Sequence, residues 1–406
     1  MKLSNINNEK MKQINLKVVL DTVRQKEPIS RKELADLVGL TSSSITNIVN
    51  RLITEGYLIE TGAGESNGGR KPIMLELNSK IKYAVGVELS VSEIVCLITD
   101  FKSNEVALQI CETPLEEGQD RVIRRIVDLI EETIREAGIA KEQIMGIGLV
   151  SAGPYDHEKG IMVNPPNFTG WYNVPIKDLI ESSVGIPTWF EKETVGAAIG
   201  EYWFGKAAGV KSLFAIDVQY VGIGGGVFID NQVYHGFSDG AGDVGHMVID
   251  LEGPLCSCGN YGCLEAVASG RAILKNIKSE IRRGEASALC QWVNDVEKIN
   301  LELVNRALLQ GDDLCRRMVE RSARYLGIAL SNIINLLSPE MIVINCSFAN
   351  VCPTYVEVAT EYARKRTYPL YNKDVTIIPS SLGEQQCARG GVGIVFQEFY
   401  KSLELE

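Results

Sequence analysis

Gly240 to Glu265 reads GAGDVGHMVIDLEGPLCSCGNYGCLE, one imidazole (His246) and three thiols (Cys256, Cys258 and Cys263) strung along a glycine-rich segment. Zinc takes four ligands in a tetrahedron from thiolate sulfur and imidazole nitrogen, and a site with four protein ligands has no open position for a water nucleophile. The spacing therefore predicts one structural zinc per chain, held by His246, Cys256, Cys258 and Cys263. Core filler and a disulfide are the competing readings of clustered cysteines. Gly259 and Gly262 argue against filler, because a chain turning that sharply converges its thiols, whereas a packed strand or helix tolerates little glycine. The other seven cysteines are scattered without paired spacing, as in a reducing compartment.

The chain has 406 residues, 45% hydrophobic and 23% charged, enough for two or three domains, each with its own core. The amino terminus, MKLSNINNEKMKQ, lacks the apolar core of a signal peptide and no later run is long enough to span a bilayer, so a cytoplasmic protein with no membrane partner is expected. The net charge of −11 opposes nucleic-acid binding by the molecule as a whole. Its distribution is uneven: residues 1–80 carry 12 Lys and Arg against 9 Asp and Glu, a net of +3, and the remaining 29 basic and 43 acidic residues net −14. Any DNA contact belongs to the first 80 residues.

Those residues carry the pattern of a winged helix-turn-helix. A first helix presents Ile14, Val18, Val19 and Val23 at helical spacing and stops at Pro28. Ser30 caps a second helix, Arg31 to Val38, with Glu33 completing a capping box and Gly39 breaking it. The third helix, Ser42 to Glu55, turns Ile45, Ile48, Val49 and Leu52 to the core. Its other face offers Ser42, Ser43, Ser44, Thr46, Asn47, Asn50 and Arg51 to base edges and phosphates. Strands Tyr57 to Thr61 and Ile73 to Leu77 follow, joined by the loop GAGESNGGRKP, in which Arg70 and Lys71 form a basic wing. A winged domain used only for protein contacts is the alternative. With one Arg on the recognition face, the bases read are left open.

From Tyr83 apolar strands alternate with amphipathic helices, the mark of an α/β body. Strands are expected at Ala84 to Val87, Ile94 to Thr99, Ala107 to Ile110 and Ile144 to Val150, with a helix from Arg121 to Ala137. In a second series, Leu213 to Val218 and Gly224 to Ile229 flank a glycine-rich turn, and a long helix, Asp312 to Leu337, leads into Met341 to Ile344.

Four runs in this order, NFTGWYNVP (Asn167 to Pro175), VGIGGGVFID (Val221 to Asp230), GAGDVGH (Gly240 to His246) and CSCGNYGCLE, resemble the ROK family of sugar kinases and repressors. The GGRKP wing is similar to that of the family's repressors, and the whole is most like their xylose-repressor branch. The resemblance implies a winged helix-turn-helix at 1–80 and a two-lobed, actin-like (ribonuclease-H-like) body. Its first lobe would be 81–190, completed by 380–406, and its second, with the zinc, 191–379. It also implies a sugar cleft and a homodimer or dimer of dimers. Asn167, Asp243 and His246 match sugar-binding positions, His246 with one ring nitrogen on zinc and the other on sugar; a turn-forming Asn167 and a loop-capping Asp243 are the plainer readings.

The family's kinases use a DxGGTK phosphate turn, an Asn-Asp pair whose Asp takes the proton of the sugar hydroxyl, and a late Gly-Gly. This chain has VELSVSE (Val87 to Glu93), Lys192 with Glu193, and Asn345 with Cys346 in those places. Glycine-free backbone cannot close on a phosphate, and Glu88 and Glu93 would repel one. The retained glycine turn, Gly222 to Gly226, is also what a tight hairpin needs. No catalytic residue is therefore expected. The main expectation is a DNA-binding repressor of carbohydrate-use genes, binding operator DNA and a carbohydrate effector through Asn167, Lys192, Glu193, Asp243 and His246. Lys192 would pair with Glu193 or meet an anionic effector. A ROK sugar kinase with an appended regulatory domain, and a DNA-binding protein whose cleft takes a protein partner, are the alternatives.

Overall fold

The computed structural model describes residues 3–63, 71–165, 167–349, 352–371, 374–383 and 385–403. The chain divides into two compact units, Met1–Glu193 with Cys387–Glu406, and Thr194–Gln386. Among the described residues no helix is long and apolar enough to cross a membrane.

The first unit opens with α1 (Leu3–Lys26), β1 (Ile29–Ser30), α2 (Arg31–Val38), α3 (Ser42–Thr54), β2 (Leu58–Ala63) and β3 (Ile73–Leu77), the strands pairing antiparallel in the order β1-β3-β2. This is the winged helix-turn-helix. The capping box on α2 is present, with Ser30 and Glu33 bonded reciprocally, and Gly39 ends the helix at φ 73°. Thr41 caps α3, which buries Ile45, Val49 and Leu52 and leaves Ile48 half-buried. The expected stripe of α1 needs correcting. Ile14 and Val18 are 53% and 42% exposed, and the buried set is Leu16, Val19, Leu20 and Val23. At about 100° per residue, Ile14 lies roughly 200° from Leu16, on the far side of the helix.

The lobe that follows contains β4 (Tyr83–Leu89), β5 (Glu93–Asp100), β6 (Glu105–Glu112), α4 (Gln119–Ala137), β7 (Ile144–Ser151), β8 (Tyr155–Asp156), β9 (Ile161–Met162), α5 (Ile176–Val184) and β10 (Thr188–Lys192). Its sheet runs β10-β7-β4-β5-β6, with β4, β7 and β10 parallel and β5 and β6 a meander on the far side. The buried stripe of α4, Val122, Ile126, Leu129, Ile130 and Ile134, joins the strand residues in one core.

The second unit is built from α6 (Glu193–Phe204), which begins one residue before it, β11 (Leu213–Val218), β12 (Ile223–Ile229), β13 (Gln232–Val233), α7 (Leu264–Ala268), α8 (Gly270–Arg282), α9 (Leu289–Trp292), α10 (Leu301–Leu309), α11 (Asp313–Leu337), β14 (Met341–Cys346), α12 (Pro353–Arg366) and β15 (Thr376–Pro379). Its sheet, β13-β12-β11-β14-β15, repeats the first: a three-stranded meander, β11 to β13, then two strands added parallel to its first member. The repetition is the paired-lobe, ribonuclease-H-like architecture. The expected glycine turn is a hairpin, closed by Gln219 N donating to Gly222 O at 2.8 Å. Gly224 and Gly226 lie inside β12, where a β-carbon would press on Thr194 and Ala198 of α6, so the glycines let a helix lie close on a strand.

The chain returns to the first unit through α13 (Gln386–Ser402). Gly86 of β4 and Gly148 of β7 face the backbone of Ala388 and Gly391, and a β-carbon at either strand position would overlap a carbonyl oxygen of α13. Helix and sheet thus meet backbone to backbone.

Candidate functional sites

On the winged domain, Ser42, Ser43, Thr46, Asn47 and Asn50 are exposed along one face of α3. Ser44 is half-buried and bonded to the cap, Thr41. Arg51 is half-buried and paired with Glu55 at 3.2 Å, so its charge is turned back along its own helix. Lys71 is exposed, and Arg70 lies outside the described residues. The sequence reading missed Arg31, which donates to Asn50 Oδ1 at 3.1 Å and to Glu60 Oε1 at 2.7 Å. It is the first residue of α2, and only the tertiary fold brings it to α3 and the wing strand.

The winged domain is fixed to the lobe below it. Tyr57, Phe101, Phe396 and Phe399 form a ring cluster with centroid separations of 5.5 to 5.8 Å. Lys102 reaches Glu76 at 2.6 Å and Glu27 at 3.3 Å, and with Thr61 it holds the Glu76 carboxyl below its ordinary range. Lys17 Nζ donates to the Lys401 carbonyl at 2.6 Å.

In the same unit the VELSVSE segment is a hairpin closed on itself. Ser90 N donates to Glu93 O and Glu93 N to Ser90 Oγ, both at 3.0 Å, so these amides are already engaged. Asn167 is exposed in a turn pinned by the buried rings of Phe168 and Trp171, 5.2 Å apart. Lys192 ends β10, opposite Ser151, and its stem runs beside Gly153, where a β-carbon would come within 3.2 Å of Cδ. Burial holds the Lys192 ammonium below its ordinary pKa, with the Glu193 charge opposing the shift.

In the second unit the loop from Gly240 to His246 is pressed on β12. Gly242 has φ 88° and a β-carbon there would strike the Gly225 carbonyl; one on Gly245 would strike that of Ile223. The loop ends in a 3-10 turn, Val244–His246, with Asp243 and His246 exposed. The Asp243 carboxylate makes no capping hydrogen bond to that turn.

Just beyond, bridges Val248 to Cys263 and Leu255 to Tyr261 fold the segment onto itself. The ligand atoms of His246, Cys256, Cys258 and Cys263 lie within 4.8 Å of one another. The Cys258 and Cys263 sulfurs are 3.7 Å apart, and Cys256 Sγ is 3.8 Å from His246 Nδ1. Zinc–sulfur bonds of about 2.3 Å at a tetrahedral angle separate two sulfurs by about 3.8 Å, so the four residues fit a metal of that coordination. Burial and the adjoining thiols push Cys263 up to about 12, which disfavours three thiolates without a cation among them. All ten cysteines are free, which removes the disulfide reading. Glu265 was also missed: it accepts from Ser257 Oγ at 3.0 Å and lies 3.9 Å from Cys256 Sγ. Its signal in the sequence was its place two residues after the last thiol, Cys263.

Comparison with known proteins follows the same division. The ROK family pattern matches residues 84–398, and a winged helix-turn-helix DNA-binding pattern matches 14–59. The chain is 31% identical over 392 residues to the xylose repressor of Caldicellulosiruptor bescii, covering 97% of this chain and 98% of that one. Among solved structures it is similar to a ROK family transcriptional regulator, a homologue of the Escherichia coli Mlc protein, with TM-score 0.79 and 28% identity over 96% of this chain and 97% of the other. The ROK hexokinase of Thermus thermophilus gives TM-score 0.67 and 28% identity, covering 79% of this chain and all of the hexokinase.

Proposed function

The chain belongs to the ROK family, and on that premise we propose that it is a DNA-binding transcriptional regulator, a repressor of carbohydrate-use genes whose operator binding answers to a sugar or sugar derivative. The observation that carries this reading is the fusion of a complete winged helix-turn-helix, its polar α3 face exposed, to the ROK body. Relatives similar along their whole length carry repressor names. Ser42, Ser43, Ser44, Thr46, Asn47, Asn50, Arg51, Arg70 and Lys71 form the DNA-facing set, within which Arg51 and Ser44 serve the fold of α3 as much as its contacts.

Asn167, Lys192, Glu193, Asp243 and His246 are the effector set. His246 directs Nδ1 toward the sulfurs, which leaves Nε2 as the ring nitrogen for a sugar hydroxyl. The metal is zinc, one per chain, and its role is to hold that loop. A homodimer or dimer of dimers presents two winged domains to a palindromic operator, whose half-sites are spaced about 34 Å per helical turn, so effector and operator oppose each other through one equilibrium.

Kinase activity is not part of this proposal. The support is the self-closed Ser90–Glu93 hairpin in place of a phosphate cradle and Lys192 beside the only acid at the base position. The test is a gel shift of full-length protein on DNA upstream of its own operon, repeated with pentoses, hexoses and their phosphates. Saturable, sugar-sensitive binding is expected, and no shift on that DNA sinks the proposal. A coupled assay for ADP release across the same sugars is expected to stay at background.

A further inference from the structure

Arg31 occupies an unfavourable place. It is the first residue of α2, where the helix dipole disfavours a cation. Its guanidinium is drawn away from solvent, with Nη1 on Glu60 Oε1 at 2.7 Å and Nη2 on Asn50 Oδ1 at 3.1 Å. The side chain is 27% exposed and its Nε is buried without a hydrogen-bond partner. One cation therefore bridges three elements: the start of α2, the outer face of α3 and the wing strand β2.

The chemistry fixes the Asn50 amide. A guanidinium has only donors, so the Asn50 atom facing it must be the carbonyl oxygen. The bond uses one of that oxygen's two lone pairs and fixes which end of the amide is turned to Arg31. An asparagine that reads adenine uses both ends at once, accepting from N6 and donating to N7. An Asn50 amide held by Arg31 keeps one free lone pair and its N–H donors, but in one sense only, so the base it meets is selected by one arrangement of donor and acceptor instead of two. The charge of Arg31 meanwhile is answered by Glu60, which makes Arg31 a poor phosphate contact.

We propose that Arg31 is a positioning residue for DNA specificity: by holding the Asn50 carbonyl oxygen it fixes the sense of the amide, and with it the single donor–acceptor arrangement that Asn50 offers to the base pair it faces. This rests on the DNA-binding reading of the winged domain. It adds a residue outside the recognition helix and gives one contact a chemical sense.

The experiment is selection of bound sequences from a randomised DNA duplex by the full-length protein, for the wild type and for R31M, R31K, N50A and R31M/N50A, with binding of the best sequence followed against salt. In the wild type one base pair should lose its preference in N50A. At that same pair R31M should cut discrimination by about tenfold, because the freed amide can flip, and R31M/N50A should match N50A. R31K keeps the charge, but a single ammonium cannot span Asn50 and Glu60, so it should shift the profile as R31M does.

Enriched sequences whose profile is unchanged in R31K and R31M would overturn the proposal while leaving the DNA-binding reading intact. So would a salt slope lowered by about one in R31M, which marks a lost phosphate contact instead. Failure of the wild type to enrich any sequence would overturn the DNA-binding reading and the proposal together.

Discussion

His246 Nδ1 stands 3.8 Å from the Cys256 sulfur although ten residues separate them, and the spacing is that of two ligands on one metal. Between them Met247 and Ile249 pack on the core of the second unit and Asp250 accepts from Tyr325 Oη at 2.6 Å, while Leu251 and Leu255 are 88% and 57% exposed. The outer part of the segment therefore leans on the ligand cluster. Purified protein should carry one zinc per chain by elemental analysis, and Cys263→Ser should lower that below stoichiometry. Chelation should raise amide exchange across residues 247–263 before the rest of the second unit. Metal-free protein with unchanged exchange there would exclude a structural metal.

If His246 joins metal to effector, the two must fail together. His246→Ala should lose zinc and the sugar response of DNA binding in the same preparation. A zinc-free variant whose operator complex still responds to sugar in full would separate the functions and leave His246 a ligand only.

Lys192 gives a pH signature. Its native pKa lies below the ordinary 10.5 because burial penalises the ammonium, so the unfolded chain holds this proton more tightly than the folded one. The destabilisation is full below the native pKa, shrinks as pH rises toward 10.5 and is absent above it. Lys192→Met should therefore be more stable than the wild type to urea at pH 7, with the gap narrowing in alkaline buffers. A gap of the opposite sign at pH 7 would mean that the pairing of Lys192 outweighs its desolvation.

Local signals in the sequence were the reliable ones. The Ser30–Glu33 box and Gly39 as stop each involve residues within four positions, and both stand where the sequence puts them. The metal cluster was legible for the same reason, since its ligands span fewer than twenty residues. The stripe of α1 was not, because Ile14 and Val18 also sit at helical spacing from Val19 and Val23, and only the packed partner decides which face is buried. Arg31 to Asn50, nineteen residues apart, and Arg31 to Glu60, twenty-nine apart, are tertiary contacts that no local pattern announces. The Gly222–Gly226 run reads as a turn in the sequence, and the use of Gly86, Gly148, Gly224 and Gly226 appears only when a helix is laid on them.

Gly148 makes that use measurable. A β-carbon there would fall on the Gly391 carbonyl, and both partners are backbone, so neither a rotamer change nor a side-chain shift relieves the overlap. Gly148→Ala should cost more than about 3 kcal/mol in urea unfolding or prevent folding of the first unit. Gly138→Ala is the control: with φ 65° and open space around it, its cost should be near 1 kcal/mol. Equal effects of the two would show that α13 does not rest on the sheet as described.

Phe396 tests whether the winged domain is held by that same helix. Its ring is 1% exposed and packs on Phe101 at 5.8 Å, which in turn touches Tyr57 at the start of the wing and Phe399 one helical turn on. Phe396→Ala leaves a cavity where the winged domain meets the lobe, and should cost about 3–5 kcal/mol if the cluster does not collapse. The loss should appear twice. Global unfolding should move to lower urea, and amide exchange in β2 and β3 should speed up at denaturant levels where β4 and β7 stay protected, because the polar ties Lys102–Glu76 and Lys17–Lys401 are partly exposed and hold less firmly than the rings. If the strands of the wing and of the lobe lose protection in step, the ring cluster belongs to one undivided core, and α13 is a structural helix without a separate part in holding the DNA-facing domain.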